Sequence, residues 1–406
     1  MSGLIPGRLE RIGDYLNKSF LSLGKIPMWQ AVVARHGEVV WRGEQGAADI
    51  QRAKPVARDT IFRIYSMTKP VTGVGLLMLF EEGRFRLDDP LSAYLPGWKD
   101  PPVWVAGAGD AMQTEPAKRP ITIRDVLRHT AGLTYGTALT SRGLPESAHP
   151  VDQAHRTAGV HLRPDQNMSD YIQRLCQVPL RYQPGEGWSY SMASDVCGAL
   201  IEALSGQRLD AYFRDRIFGP LGMRDTAFQV PADKVGRFAA NYTRNAQRKL
   251  ALIEDPSDSP YLQEPKFCSG GGGLVGTSDD YLKFCEMLRC GGEYQGVRLL
   301  APRTVRLMLT NHLPGGRDIA SMSRGILVEQ SNTGVGYGLG IATTIDPVAN
   351  GSLADSDAFW AGVASTLFWI DRQAGLSVIF MTQLTPPYFY DFRGPLRSLV
   401  YSSLAD

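Results

Sequence analysis

Strand pairs stand at the two ends of this chain, and the long middle between them reads as helix and loop. Near the N-terminus, "AVVARHGEVVW" places Ala31–Ala34 and Val39–Trp41 as strands around a His36-Gly37 turn. Near the C-terminus, "STLFWID", the turn "RQAG" and "LSVIFMTQ" form a second hairpin. From about residue 67 to 265 the pattern is helices and long loops, among them "AGAGDAMQTEPAKRP" and the stretch from Gly136 to Arg163. Strands gathered at the ends, without strand–helix–strand alternation, point to α+β layers with antiparallel pairing and against a doubly wound parallel sheet. The expected layout is a discontinuous α/β domain, residues 1–66 plus 267–406, with a mainly helical domain, residues 67–266, inserted in it.

Helix signals fill in this frame. Leu9, Ile12, Leu16, Phe20 and Leu23 share one face of a first helix, with Pro6 near its start and Gly24 at its end. Short capped helices are expected from Thr122 and Ser169. A longer one in "SMASDVCGALIEALSG" has Gly206 as its C-cap, and "LDAYFRDRIFGPLGM" follows it. A glycine run, Gly270 to Gly273, leads to a helix capped near Thr277 or Ser278 and closed by Gly291. Pro302 opens another, and a last helix runs from about Phe392 to Leu404.

Two Ser-x-x-Lys pairs occur, where average composition gives roughly one by chance. Residues three apart meet only on a helix. Ser22 and Lys25 flank Gly24 and precede Pro27, so they belong to a helix end. Ser66 and Lys69 stand before Pro70 and the apolar run Val74 to Phe80, which ends near Gly83. Proline inside a helix costs about 3 kcal/mol except in the first turn, so Pro70 fixes the helix start near Ser66–Lys69. Ser66 then sits at the positive end of a helix dipole with Lys69 one turn on, a setting suited to a nucleophile.

Bulk composition excludes several other classes. The chain has 406 residues, 43% hydrophobic and 21% charged, with a net charge of +2 and no basic run, so neither nucleic acid nor a membrane surface is an expected partner. Cys176, Cys197, Cys268, Cys285 and Cys290 are scattered and odd in number, which suits reduced thiols rather than disulfides or zinc. No secretory signal pattern or membrane-length apolar run is found, so a cytoplasmic monomer or homodimer is expected, with no metal and no cofactor.

A serine nucleophile needs a proton shuttle and an oxyanion hole. No G-x-S-x-G elbow is present. Of six histidines, only His129 in "RHTAGLTYG" has an interesting context, and a structural hydrogen bond is its expected role. Tyr190 is the better partner. It follows a Pro-Gly-x-Gly turn, precedes a helix and lies in the inserted region, where a cleft could bring it opposite Ser66.

Ser66-Met67-Thr68-Lys69, Tyr190-Ser191-Met192 and Trp360-Ala361-Gly362 occur in the order and spacing of the serine β-lactamase and penicillin-binding protein superfamily. The chain most resembles its class C-like branch, and within it the family VIII carboxylesterases and lovastatin-type acyltransferases. The segments "LRHTAGLTY", "PGEGWSYSMASDVCGALIEALSG", "GPLGMRDTAF", "GGGGLVGTSDD" and "FWIDRQAGLSVIF" extend the likeness over nearly the whole chain. The resemblance implies a β-lactamase/DD-peptidase-like fold, a central antiparallel sheet flanked by helices. It implies cleavage of short- to medium-chain carboxylic esters through an acyl-Ser66 intermediate, or transfer of the acyl group to an alcohol or thioester partner by the same site, or a weak β-lactamase or amidase activity. It also implies backbone N–H groups of Ser66 and Val363 as oxyanion donors, and Trp360, Ala361, Gly362 and Met192 as substrate-binding residues.

Two positions depart from the superfamily pattern. Met192 stands where β-lactamases carry Asn, and Trp360 where they carry Lys. Losing an amide and a carboxylate-binding cation favours neutral esters. Holding a tyrosine as phenolate at neutral pH costs about 4 kcal/mol. One ammonium about 4 Å away returns about as much at an effective dielectric near 20. Lys69 and Tyr190 are therefore assigned jointly as base and acid, with the proton undivided between them.

Overall fold

In the computed structural model, residues 3–136, 140, 146–160, 166–324 and 332–405 are described. Eight antiparallel strands form the main sheet, and all of them come from the two ends of the chain. Their spatial order is Val335–Tyr337, Ala342–Thr344, Ala358–Ala361, Leu367–Asp371, Leu376–Met381, Met28–Arg35, Glu38–Asp49 and Lys54–Pro55. The N-terminal hairpin turns at His36 and Gly37, both with positive φ, and pairs across the chain ends with Val33 opposite Val378. Chain ends also meet directly: the Ile5 N–H donates to Ser403 O at 2.7 Å.

The central strands carry continuous apolar runs because both faces of the sheet are covered. Leu367 pairs with Phe380 and Phe368 with Ile379, so the two pairs point to opposite faces. On one face Phe380 packs on Phe392, next to the C-terminal helix Arg393–Tyr401, at 4.9 Å between ring centroids. On the other, Phe368 meets Tyr281 of the helix Ser278–Arg289 edge-on at 5.0 Å. Thr277 caps that helix by accepting from the Asp280 N–H.

The helix Thr68–Glu81 is buried on nearly every side, which explains its unbroken apolar sequence. It packs against Ala193–Ser205, which ends at Gly206 in the left-handed conformation. Thr122 and Asp125 form a reciprocal capping box at the start of Ile123–Leu127. No helix among the described residues is long and apolar enough to cross a membrane.

Several expectations need correction. The stretch expected as loop from Gly136 to Arg163 contains a helix, Pro150–Thr157, which Pro150 opens and the His149 side chain caps. Its other end, with His161, lies outside the described residues. Part of "AGAGDAMQTEPAKRP" belongs to a hairpin, Pro102–Ala106 with Gln113–Pro116. A second hairpin, Asn241–Arg244 with Leu250–Glu254, also interrupts the region read as helix and loop. Each is short and pairs an apolar strand, PVWVA or LALIE, with a polar one, QTEP or NYTR, so the pairing is weakly written in local sequence. The helix expected from Ser169 starts at Met168, capped by Asn167. The strand Ala358–Ala361, which carries Trp360, lies inside the sheet and pairs on both sides.

Candidate active site

Ser66 lies in a single 3-10 turn, Tyr65–Met67, that runs straight into the helix Thr68–Glu81. Its neighbours from Ile61 to Pro70 are all buried, and Ser66 itself is half-exposed. Tyr65, just before it, has φ of 41°. A non-glycine residue there is strained by roughly 1–3 kcal/mol and must be held by its surroundings. Tyr281 OH donates to Met67 O at 2.9 Å, tying the turn to the helix behind the sheet.

Lys69 is buried and has a full set of acceptors. Its Nζ donates to Ser66 Oγ at 3.1 Å, Tyr135 OH at 2.9 Å and Gly271 O at 2.6 Å. Tyr190 OH donates to Ser66 Oγ at 2.7 Å. The Lys69 ammonium nitrogen lies 4.6 Å from the Tyr190 ring centroid. Ser66, Lys69 and Tyr190 are thus in mutual contact, although Tyr190 lies 124 positions from Ser66 in the chain.

Three participants escaped the sequence reading. Tyr135 is buried against Lys69, and burial first, then the neighbouring Tyr190 and Asp195, pushes its phenol well above the usual tyrosine range. It therefore stays a neutral hydroxyl. Gly271 presents its carbonyl to Lys69 and its N–H to Asp195 Oδ1 at 3.0 Å. A Cβ on Gly271 would come within 2.9 Å of that carboxylate, so a larger residue there would have to displace it. Burial raises the Asp195 carboxyl, while Ser269, Lys69 and the Gly271 N–H oppose that rise. The signals were present in "LTYG" and in the glycine run, but neither carries a direction toward Lys69.

His129 has the structural role expected of it. Nδ1 is 2.9 Å from Ser191 Oγ, and the ring packs among Trp188, Tyr190 and Tyr337. Burial, then the charge of Lys69, holds its pKa well below the usual histidine value, so it is neutral. The other Ser-x-x-Lys pair is not a site: Ser22 Oγ and Lys25 Nζ donate to Lys18 O and Ser19 O, at the end of the first helix.

A cavity of about 670 Å³ opens over Ser66. Tyr65, Tyr135, Trp188, Tyr190, Phe267 and Trp360 make its walls strongly aromatic. Ala361, Gly362 and Val363 also line it. The chain folds back after Gly362 through a tight turn, with Ser365 at φ of 64° and the Gly362 N–H on Thr366 O at 2.7 Å. A Cβ on Gly362 would lie 2.5 Å from Ile64 O, so this turn packs directly on the segment leading to Ser66. Met192 does not join them. It is fully buried at the start of the helix Ala193–Ser205, in the apolar core, and is not part of the cavity wall.

A family model described as Beta-lactamase matches residues 17–401. A protein of Mycobacterium tuberculosis (strain H37Rv) is 34% identical over 391 residues, 95% of this chain and 92% of its own. Esterase EstB of Burkholderia gladioli is 31% identical over 419 residues, 98% of this chain and 95% of its own. Among solved structures, EstCE1, described as a hydrolase with promiscuous acyltransferase activity, aligns with a TM-score of 0.79 at 26% identity, covering 98% of this chain and 99% of its own. With its antiparallel sheet, its flanking helices and a match of this extent, the chain belongs to the beta-lactamase family.

Proposed function

We propose that this protein is a carboxylesterase that cleaves neutral esters through an acyl-Ser66 intermediate, a cytoplasmic enzyme of the family VIII type. The observation that carries the reading is the hydroxyl of Ser66, held between Lys69 Nζ and Tyr190 OH on the floor of an aromatic cavity. The relatives named as esterases support the same reaction. The domain division stays part of the proposal: residues 67–266 are an insertion that supplies Lys69, Tyr135 and Tyr190 to a sheet domain of residues 1–66 and 267–406.

Ser66 Oγ attacks the ester carbonyl carbon, and its proton passes into the Lys69–Tyr190 pair. Collapse of the tetrahedral adduct breaks the bond to the alcohol, which leaves with that proton. Three acceptors around Lys69 Nζ match the three protons of an ammonium. One of the pair must be deprotonated to receive the serine proton: with Lys69 as the ammonium, Tyr190 takes it as a phenolate, and with Lys69 as a neutral amine, Lys69 takes it. The developing oxyanion is received by the backbone N–H groups of Ser66 and Val363. Trp360, Ala361 and Gly362 shape the wall beside it. Water then takes the acyl group. An alcohol or thioester partner takes it in the second reading, acyl transfer, which the description of EstCE1 favours.

Ser66→Ala is expected to abolish both hydrolysis of p-nitrophenyl butyrate and covalent labelling by a serine-directed phosphonate. Ser22→Ala leaves both intact. Labelling that survives in the Ser66 variant overturns the assignment.

A further inference from the structure

Three residues before Ser66 lies an arginine with no exposed surface. The Arg63 guanidinium is stacked 3.9 Å above the centroid of the Phe238 ring. Nη1 donates to Ala239 O at 2.5 Å, and Nη2 reaches Glu254 Oε1 at 2.8 Å and Ser259 Oγ at 3.4 Å. Ser259 Oγ in turn donates to Glu254 Oε1. The Arg63 backbone is pinned as firmly. Its N–H donates to Gln383 Oε1, and its carbonyl accepts from Gln383 Nε2, both at 3.1 Å.

Glu254 differs from Arg63 in one respect. Its side chain keeps 20% of its surface exposed, and it lines the cavity over Ser66 together with Pro260, Tyr261, Pro265 and Phe267. These residues follow the hairpin Asn241–Glu254 and form one wall without regular secondary structure apart from short 3-10 turns. Further along, the wall is held by the Val230 N–H on Tyr261 O at 2.8 Å, by Gln229 Nε2 on Leu262 O and by Arg208 Nη2 on Pro265 O, whereas the Glu254 side chain at its start depends on Arg63 and Ser259. The buried guanidinium ties the start of this wall, and it does so from the strand Phe62–Arg63, which leads into the turn carrying Ser66.

We infer that Arg63 is a positioning residue that fixes the start of the Glu254–Phe267 wall relative to Ser66 and thereby sets selectivity for large esters. This rests on the reading of Ser66 as the nucleophile. A buried charge without its partner is costly, and Glu254 already touches solvent. Removing Arg63 lets the carboxylate swing out and carry the start of the wall with it. A small ester that barely touches the wall loses little, whereas a large one loses its surface.

The experiment compares p-nitrophenyl acetate with p-nitrophenyl 4-phenylbutanoate in wild type, Arg63→Met, Arg63→Lys and Arg63→Met/Glu254→Gln. Active enzyme is counted by phosphonate titration. The ratio of kcat/KM for the two esters does not depend on how much protein is folded, so general destabilisation leaves it unmoved. Arg63→Met is expected to lower the ratio at least tenfold in favour of acetate, with KM for the phenylbutanoate carrying the change. Neutralising Glu254 in the double variant recovers part of it. If Arg63→Met does not fold, Arg63→Lys keeps a charge but not the fork, and is expected to move the ratio at least threefold the same way. An unchanged ratio, or an equal fall in kcat for both esters with KM unmoved, overturns the inference. Wild type that titrates with phosphonate but cleaves neither ester would instead count against the esterase reading itself.

Discussion

Tyr135 and Tyr190 are both phenols within reach of Lys69, yet their hydrogen bonds give them different work. Tyr190 OH points its proton at Ser66 Oγ, whereas Tyr135 OH accepts from Lys69. Tyr190→Phe removes the proposed shuttle and is expected to lower kcat by about 10²-fold or more, the range for losing a general acid–base group. Tyr135→Phe removes one of three acceptors around a buried cation. It is expected to lower kcat by about tenfold, a single charge-assisted hydrogen bond, with KM little changed. Steady-state kinetics from pH 6 to 9 separate the two. Near-normal kcat for Tyr190→Phe across that range would make Lys69 the sole base. Ser66 and Lys69 were readable in sequence because a helix brings residues three apart together. Tyr135 was not, since nothing local in "LTYG" records that its hydroxyl ends beside a lysine 66 positions away.

Elements carry their own electrostatics, and the short helix Ile123–Leu127 shows this most clearly. Asp125 caps it, accepts from Arg119 and Arg128, and is fully buried. Burial alone would raise this carboxyl. The Arg119 bonds and charge, the Thr122 N–H and Arg128 outweigh it and bring the pKa down from 3.8 to about 2. A folded-state pKa below the unfolded one contributes stability that is fully present above about pH 4 and lost as pH falls through about 2. The shift corresponds to about 2 kcal/mol. Denaturant unfolding of wild type and Asp125→Asn is therefore expected to differ by at least that amount at pH 6, with the gap narrowing steadily between pH 4 and pH 2. A gap that is constant with pH would mean that the arginines do not act through the ionised carboxylate. The Thr122 helix was legible because cap and helix lie within four residues. The hairpins at 102–116 and 241–254 were not, because pairing there depends on packing more than on local propensity.

At the scale of the whole molecule, the cavity joins distant parts of the chain: Ser66, Tyr190, the 254–273 wall, Trp360 and the C-terminal segment 387–398. Trp360 packs on Tyr190 and Tyr337 at 5.4 and 5.3 Å, where the superfamily pattern has a lysine. An anionic substrate must then give up solvent without that cation. Desolvating an unpaired carboxylate costs several kcal/mol, so a penalty of about 10²-fold or more in kcat/KM is expected for a chromogenic cephalosporin against a butyrate ester. Trp360→Lys is expected to narrow the gap from both sides. Arg393 and Arg397 also line the cavity, with Arg397 paired to Asp357 and both guanidinium groups stacked on Phe359. Wild-type turnover of the cephalosporin at a rate comparable to the ester would sink the prediction.

The division between sequence and tertiary structure follows the range of the forces involved. Proline at 70, glycine at 206 and the cap at Thr277 act within one turn, so the sequence by itself determined where those helices begin or end. Strand pairs at both chain ends, without parallel crossovers, likewise determined an antiparallel sheet with helices against it. The neighbours of Lys69 were decided elsewhere. Tyr135 and Gly271 lie 66 and 202 positions along the chain from it. Met192 illustrates the same limit from the other side. Its place in the second motif marked it for the substrate, and packing of the helix it precedes buried it instead. Contacts closed over such lengths depend on how the whole core packs, and that information is spread over the chain rather than held near any one residue.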